Sequence, residues 1–129
     1  MTLARRSTDL ISPRAHARFD LFVFPVMLGL AAWAARRSKR AAALILANAL
    51  GEGTTASLTK YDAETGLFPF LSFRSHVRIG QVGGPIFLAL SCFVPGVPQP
   101  ERGVLIFLGV LPIVLNGLSD ISGQRSTAA

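Results

Sequence analysis

The stretch "HARFDLFVFPVMLGLA", residues 16–31, returns sixty positions later as "HVRIGQVGGPIFLALS", residues 76–91. Superposed, His16 meets His76, Arg18 meets Arg78, Pro25 meets Pro85, Leu28 meets Leu88 and Leu30 meets Leu90. Each copy opens on a basic phrase and runs into an apolar one. The same offset carries Leu58 and Thr59, at the end of the next apolar block, onto Leu118 and Ser119. The repeated unit is therefore two apolar blocks joined by a short hydrophilic turn. A hairpin of this kind returns to its starting side, so two copies in series share one orientation, as in parallel rather than inverted repeats.

Composition says where such hairpins belong. Half of the residues are hydrophobic and 16% are charged, against roughly a quarter charged in an average soluble domain, and the mean hydropathy is +0.48. The apolar residues fall in four blocks, Leu21–Ala35, Ala41–Thr59, Ile79–Pro95 and Gly103–Leu118. Each is near the lower length limit for a helix that crosses a bilayer. The expected fold is all-α: a polytopic membrane protein with four transmembrane helices arranged as two tandem helical hairpins. The boundaries read as a mobile basic tail over 1–15, a first hairpin over 16–60, an interfacial link over 61–75, a second hairpin over 76–120 and a mobile tail over 121–129.

The net charge of +6 does not point to nucleic acid, because the charge is placed at the ends of the apolar blocks. Arg14 and Arg18 precede the first, Arg36, Arg37, Lys39 and Arg40 separate the first two, and Arg74 and Arg78 precede the third. Basic side chains at such positions reach anionic lipid headgroups, which makes the bilayer the expected partner. On the side holding the two termini and the long link there are eight Lys or Arg, against five on the other side. The positive-inside bias then puts both termini in the cytoplasm. Tyr61, Phe68, Phe70 and Phe73 in the link read as an aromatic anchor at headgroup depth. Cys92 is the only cysteine, so the chain has no internal disulfide and no cysteine-based zinc site.

Small residues recur every fourth position in the second block, at Ala47, Gly51, Thr55 and Thr59. Rows of this kind let helix backbones approach closely, and with Gly109 in the fourth block they form the expected packing faces. They also suit close association with a second copy or a larger membrane complex.

Glu52 is the one carboxylate deep within an apolar block, and an intramembrane ionisable residue is a functional candidate by default. Asp20, Arg78, Gln81 and Asn116 fall at the same end of the expected bundle, which defines a candidate polar vestibule. The plainer alternative is a structural hydrogen bond from Glu52 to Gln81 or Arg78. His16 and His76 are related by the repeat, but two histidines without a carboxylate cluster are a weak metal signal. His16, Arg18 and His76 are instead expected to face headgroups, and no metal or cofactor is expected. No G-x-S-x-G, HExxH or CxxC is present, and "GEGTT" lacks a P-loop lysine. No enzymatic activity is expected.

The paired hairpins, "HVR" opening the second unit and "SLTKYDAETGL" linking the two resemble the SPW-repeat family of small bacterial membrane proteins. At the signature position stand Ala31-Ala32-Trp33 and Ser91-Cys92-Phe93, each keeping one signature residue. The resemblance implies a bacterial inner-membrane location and supplies no activity. The expected function is thus a non-catalytic accessory or scaffold component of a membrane assembly. The alternative is a small transporter or ligand-binding membrane protein that uses the vestibule around Glu52.

Overall fold

The computed structural model describes residues 9–61 and 67–122. Within them the chain forms four helices, α1 (Pro13–Ala35), α2 (Lys39–Ser57), α3 (Phe73–Phe93) and α4 (Glu101–Gly117). Two short strands, β1 (Thr59–Lys60) and β2 (Leu71–Ser72), pair in parallel between α2 and α3. The chain is all-α in class. Helix α1 packs chiefly on α2 and α3 on α4, and the two hairpins meet mainly through α2 and α4.

Both hairpins start three residues earlier than the expected boundaries at 16 and 76. Ser12 caps α1 by accepting from the Ala15 amide, and Ser72 caps α3 by accepting from the Ser75 amide. A hydroxyl at the N-cap satisfies one of the amides that a first helical turn leaves unpaired. Pro13 follows at the first position of α1, where its missing N–H costs nothing. The serines are sixty positions apart, like the histidines they precede.

The offset extends to the backbone. The Leu58 carbonyl accepts from the Phe70 and Leu71 amides, and the Leu118 carbonyl accepts from the Leu10 and Ile11 amides. The segment leading into each hairpin is thus tied to the end of the other hairpin. An Ile11–Ser119 bridge matches the Thr59–Leu71 pairing of the strands. This corrects the expected tail boundary, because residues 10 and 11 are held by hydrogen bonds. The parts of both tails at 1–8 and 123–129, and 62–66 of the link, lie outside the described residues.

At the opposite end the two turns are stitched by arginine. Arg102 donates to the carbonyls of Ser91 (2.8 Å) and Cys92 (3.0 Å) in the last turn of α3, where carbonyls lack intrahelical partners, and to those of Val94 (2.7 Å) and Val97 (3.2 Å) beyond it. Arg40 donates to the Pro95 carbonyl and Arg37 to that of Gln99. Arg37 Nε also lies 2.8 Å from Oε1 of the fully buried Glu101. Two of the arginines assigned to headgroups from the sequence therefore bind the other hairpin.

The core is built of small and branched side chains: Ala31, Ala34, Ala41, Ile45, Ala49, Leu105 and Leu108 are buried. The expected packing row is corrected. Ala47 and Gly51 are exposed, and a Cβ on Gly51 would meet nothing within 4 Å. The row that packs is Ala41, Ile45 and Ala49, on a different face of the helix. Gly109 sits at a close approach, since a Cβ there would lie 2.7 Å from Leu88 Cα. The outer surface carries Leu21, Phe22, Val82, Ile86 and Phe107, all more than half exposed. By length and hydropathy, one helix among the described residues, α1, qualifies as able to cross a membrane. Helix α4 has 17 residues.

Candidate functional site

Where the two hairpin starts meet, the side chains in the interior are polar. His16, on the first turn of α1, and His76, on the first turn of α3, are 1% and 2% exposed. Their Nε2 atoms are 3.2 Å apart, and the rings meet edge to face. Asp20 lies one helical turn beyond His16, and an i,i+4 spacing puts both on one face. Its Oδ2 is 3.5 Å from His16 Nε2 and 3.4 Å from His76 Nε2. Among the described residues these three form the group of histidine, cysteine and carboxylate side chains whose ligand atoms all lie within 4.8 Å of one another.

Both histidines are oriented from behind. His16 Nδ1 is 2.7 Å from Ser119 Oγ, and His76 Nδ1 is 2.9 Å from Thr59 Oγ1. Each hydroxyl has one proton, and each is placed to donate it to a carbonyl four residues back. Ser119 donates to Leu115 (2.7 Å) and Thr59 to Thr55 (2.6 Å). Those carbonyls belong to the last turns of α4 and α2, where carbonyls otherwise lack partners. With their protons so used, the hydroxyls accept from the ring nitrogens. The hydrogen-bond network thus assigns N–H to Nδ1 and a lone pair to Nε2 on both rings. Two lone pairs and a carboxylate oxygen converge on one point.

Tyr61 donates to Asp20 Oδ2 at 2.6 Å. It is 4% exposed, and burial first, then the Asp20 charge, hold its phenol above the ordinary range, so it stays a donor. Phe73 is fully buried and stacks on His76 with centroids 6.1 Å apart. Phe68 and Phe70 are 61% and 81% exposed. Of the four aromatics expected at headgroup depth, two therefore form the wall of the cluster.

A cavity of about 30 Å³ adjoins the cluster, lined by His16, Asp20, Glu52 and Asn116 among its polar groups and by Phe24, Met27 and Leu108 among its apolar ones. That is room for one or two waters. Asn116 is 3% exposed and donates from Nδ2 to the Pro112 carbonyl at 2.7 Å, while its buried Oδ1 has no partner. Its side chain fits because residue 80 is glycine: a Cβ there would lie 2.1 Å from Asn116 Nδ2. Gly80 stands sixty positions after Asp20, so the single carboxylate of the cluster comes from the first hairpin.

Of the vestibule residues expected from the sequence, the structure brings Asp20, Glu52 and Asn116 to one cavity. Arg78 and Gln81 are exposed and do not line it. The interfacial assignment is corrected for His16 and His76, which face each other in the interior; Arg18 is exposed. The sequence offered no carboxylate cluster beside the two histidines; the structure places Asp20 against both. Spacing hid the cluster, because its donors lie sixty residues apart. The signals available were the sixty-residue offset, which pairs His16 with His76 and Thr59 with Ser119, and the carboxylate of Asp20 one turn beyond the first histidine.

No protein-family model, curated protein or solved structure matches the chain.

Proposed function

We propose that the protein is a small multi-pass membrane protein, built from a duplicated hairpin, that binds a small ligand in the polar cavity between its two halves. The single observation that carries this reading is the convergence of His16, His76 and Asp20, with acceptors pointed at one another, beside a cavity that holds an unpartnered amide oxygen. Buried acceptors cost free energy unless a partner satisfies them. A scaffold needs no such arrangement, so the reading with a site at the Glu52 end is preferred to a purely accessory role.

The membrane placement of all four helices rests on an inverted distribution of polarity. Phe22, Leu21, Val82, Ile86, Leu90, Phe107 and Val114 are exposed, whereas His16, His76, Thr59, Ser91 and Asn116 are buried. Water would favour the reverse, and lipid favours this. The duplication is supported by caps, carbonyl contacts and histidine partners that all recur at the same offset. The resemblance to SPW-repeat proteins implies the bacterial inner membrane as its location, and the excess of Lys and Arg on the side of the termini favours both termini in the cytoplasm. Cys92 is exposed at the far end of α3 from the cluster, so an impermeant maleimide should label it from the non-cytoplasmic face alone.

Access to the cavity tests the binding role. A cysteine at position 52, Glu52→Cys in a Cys92→Ser background, should react with a small water-soluble thiol reagent from one face of the membrane. A folded variant that reacts from neither face would rule out exchange of a ligand through this cavity.

A further inference from the structure

We propose that the cluster is a binding site for one divalent transition-metal ion of zinc's size and geometry, held by His16 Nε2, His76 Nε2 and Asp20 Oδ2. This rests on the binding role above and names its ligand.

The first support is the shape of the triangle. Its sides are 3.2, 3.4 and 3.5 Å. A tetrahedral ion with bonds of 2.0–2.1 Å separates neighbouring ligand atoms by about 3.3–3.4 Å. The small octahedral ion magnesium, at similar bond lengths, would draw adjacent ligands to about 2.9 Å and prefers oxygen throughout. Two imidazoles and one carboxylate suit zinc, cobalt or a neighbouring metal.

The second support is the proton assignment. Nδ1 of each ring is committed to a hydroxyl that itself donates to a carbonyl. Both Nε2 lone pairs then face each other and the Asp20 carboxylate across a gap into which neither ring donates. A cation between them turns this mutual repulsion into coordination. The outer contacts are those that metal-bound histidines and carboxylates receive: an N–H donated behind each ring, and the Tyr61 hydroxyl on Asp20.

The third support is independent of the triangle. Three protein ligands leave a tetrahedral ion one open position, the pattern of sites that exchange or activate a ligand rather than of closed structural sites. The adjoining cavity, which His16 and Asp20 line, has room for a water there, and the buried, unpartnered Asn116 Oδ1 supplies an acceptor for it. Charge also closes. A divalent ion with the Asp20 carboxylate leaves one positive charge, and the Glu52 carboxylate in the same cavity offsets it. Without an ion, two carboxylates would share an apolar interior.

The experiment uses the full-length protein purified in mild detergent, stripped with chelator and titrated with Co²⁺. Tetrahedral coordination should give the intense visible d–d bands of that geometry, saturating at about one cobalt per chain. Added Zn²⁺ should abolish them. His76→Gln should lower the affinity by more than the ~10–100-fold that loss of an outer-shell partner causes, with helicity by circular dichroism unchanged. Should that variant fail to fold, the wild-type protein decides: Zn²⁺ should move the ¹⁵N resonances of both Nε2 atoms and leave both Nδ1 atoms protonated. Wild-type protein that shows no band at equimolar cobalt, or only the weak octahedral spectrum, overturns the proposal. So does a band that survives in folded His16→Gln and His76→Gln. Thiol access at position 52 is read separately, so an accessible cavity without cobalt binding would sink the metal while sparing the binding role.

Discussion

His16 of the first hairpin is held by Ser119 of the second, and His76 of the second is held by Thr59 of the first, at 2.7 and 2.9 Å. The exchange is reciprocal. Each hairpin orients the histidine of the other, so neither half alone would assemble the cluster.

Ser119→Ala should therefore leave the buried His16 ring N–H and the Leu115 carbonyl unpartnered, a cost of about 1–3 kcal/mol. Thr59→Ala should cost less, because His76 also has a hydrogen bond with the Thr55 backbone. Equilibrium unfolding in mixed micelles reads both directly. A Ser119→Ala variant as stable as wild type would show that the hydroxyl does not hold His16.

Metal removal should be visible in stability. A ligand that binds only the folded protein contributes about 2.7 kcal/mol at a hundredfold excess over its dissociation constant. Zn²⁺ should thus raise the unfolding midpoint of wild-type protein and chelator should lower it, while Asp20→Asn should respond to neither. Midpoints that ignore both additions in the wild type would contradict the cation site.

Two glycines of opposite surroundings give a paired test of packing. A Cβ on Gly109 would lie 2.7 Å from the Leu88 backbone, whereas one on Gly51 would meet nothing within 4 Å. Gly109→Ala should cost about 1–3 kcal/mol through overpacking. Gly51→Ala should gain roughly 0.5–1 kcal/mol, the ordinary preference of a helix for alanine. Loss at position 51 would restore the small-residue row inferred from the sequence as a packing face.

Arg102 closes the far end by donating to four carbonyls beyond and within the last turn of α3. A lysine keeps the charge but cannot reproduce a planar fork. Arg102→Lys should cost about 1–3 kcal/mol and should speed amide exchange in the last turn of α3. Exchange there at the wild-type rate would show the cap to be dispensable.

How much of this was legible in the chain depends on the range of the interaction concerned. Helix number and hairpin order are local properties. Apolar blocks of suitable length, bounded by basic turns and by prolines, state them residue by residue. The capping serines at 12 and 72 were equally readable, though boundaries drawn at His16 and His76 put the starts three residues late. Helix faces were less so: Ala47, Gly51 and Thr55 make as regular a row as Ala41, Ile45 and Ala49, and periodicity alone cannot say which row meets a neighbour.

The sequence by itself determined the hairpins, the sixty-residue offset between similar stretches and the polarity of the end at which Asp20, Glu52 and Asn116 gather. Only the tertiary structure decided that the two histidines meet. Their sixty-residue separation along the chain says nothing of the angle at which one hairpin docks on the other. That angle is set by non-local contacts: Leu118 accepting from the chain before α1, Leu58 accepting from the chain before α3, and Gly80 admitting Asn116. Together they turn two imidazoles inward, towards each other and towards one carboxylate, where a basic flank on paper faced the membrane surface.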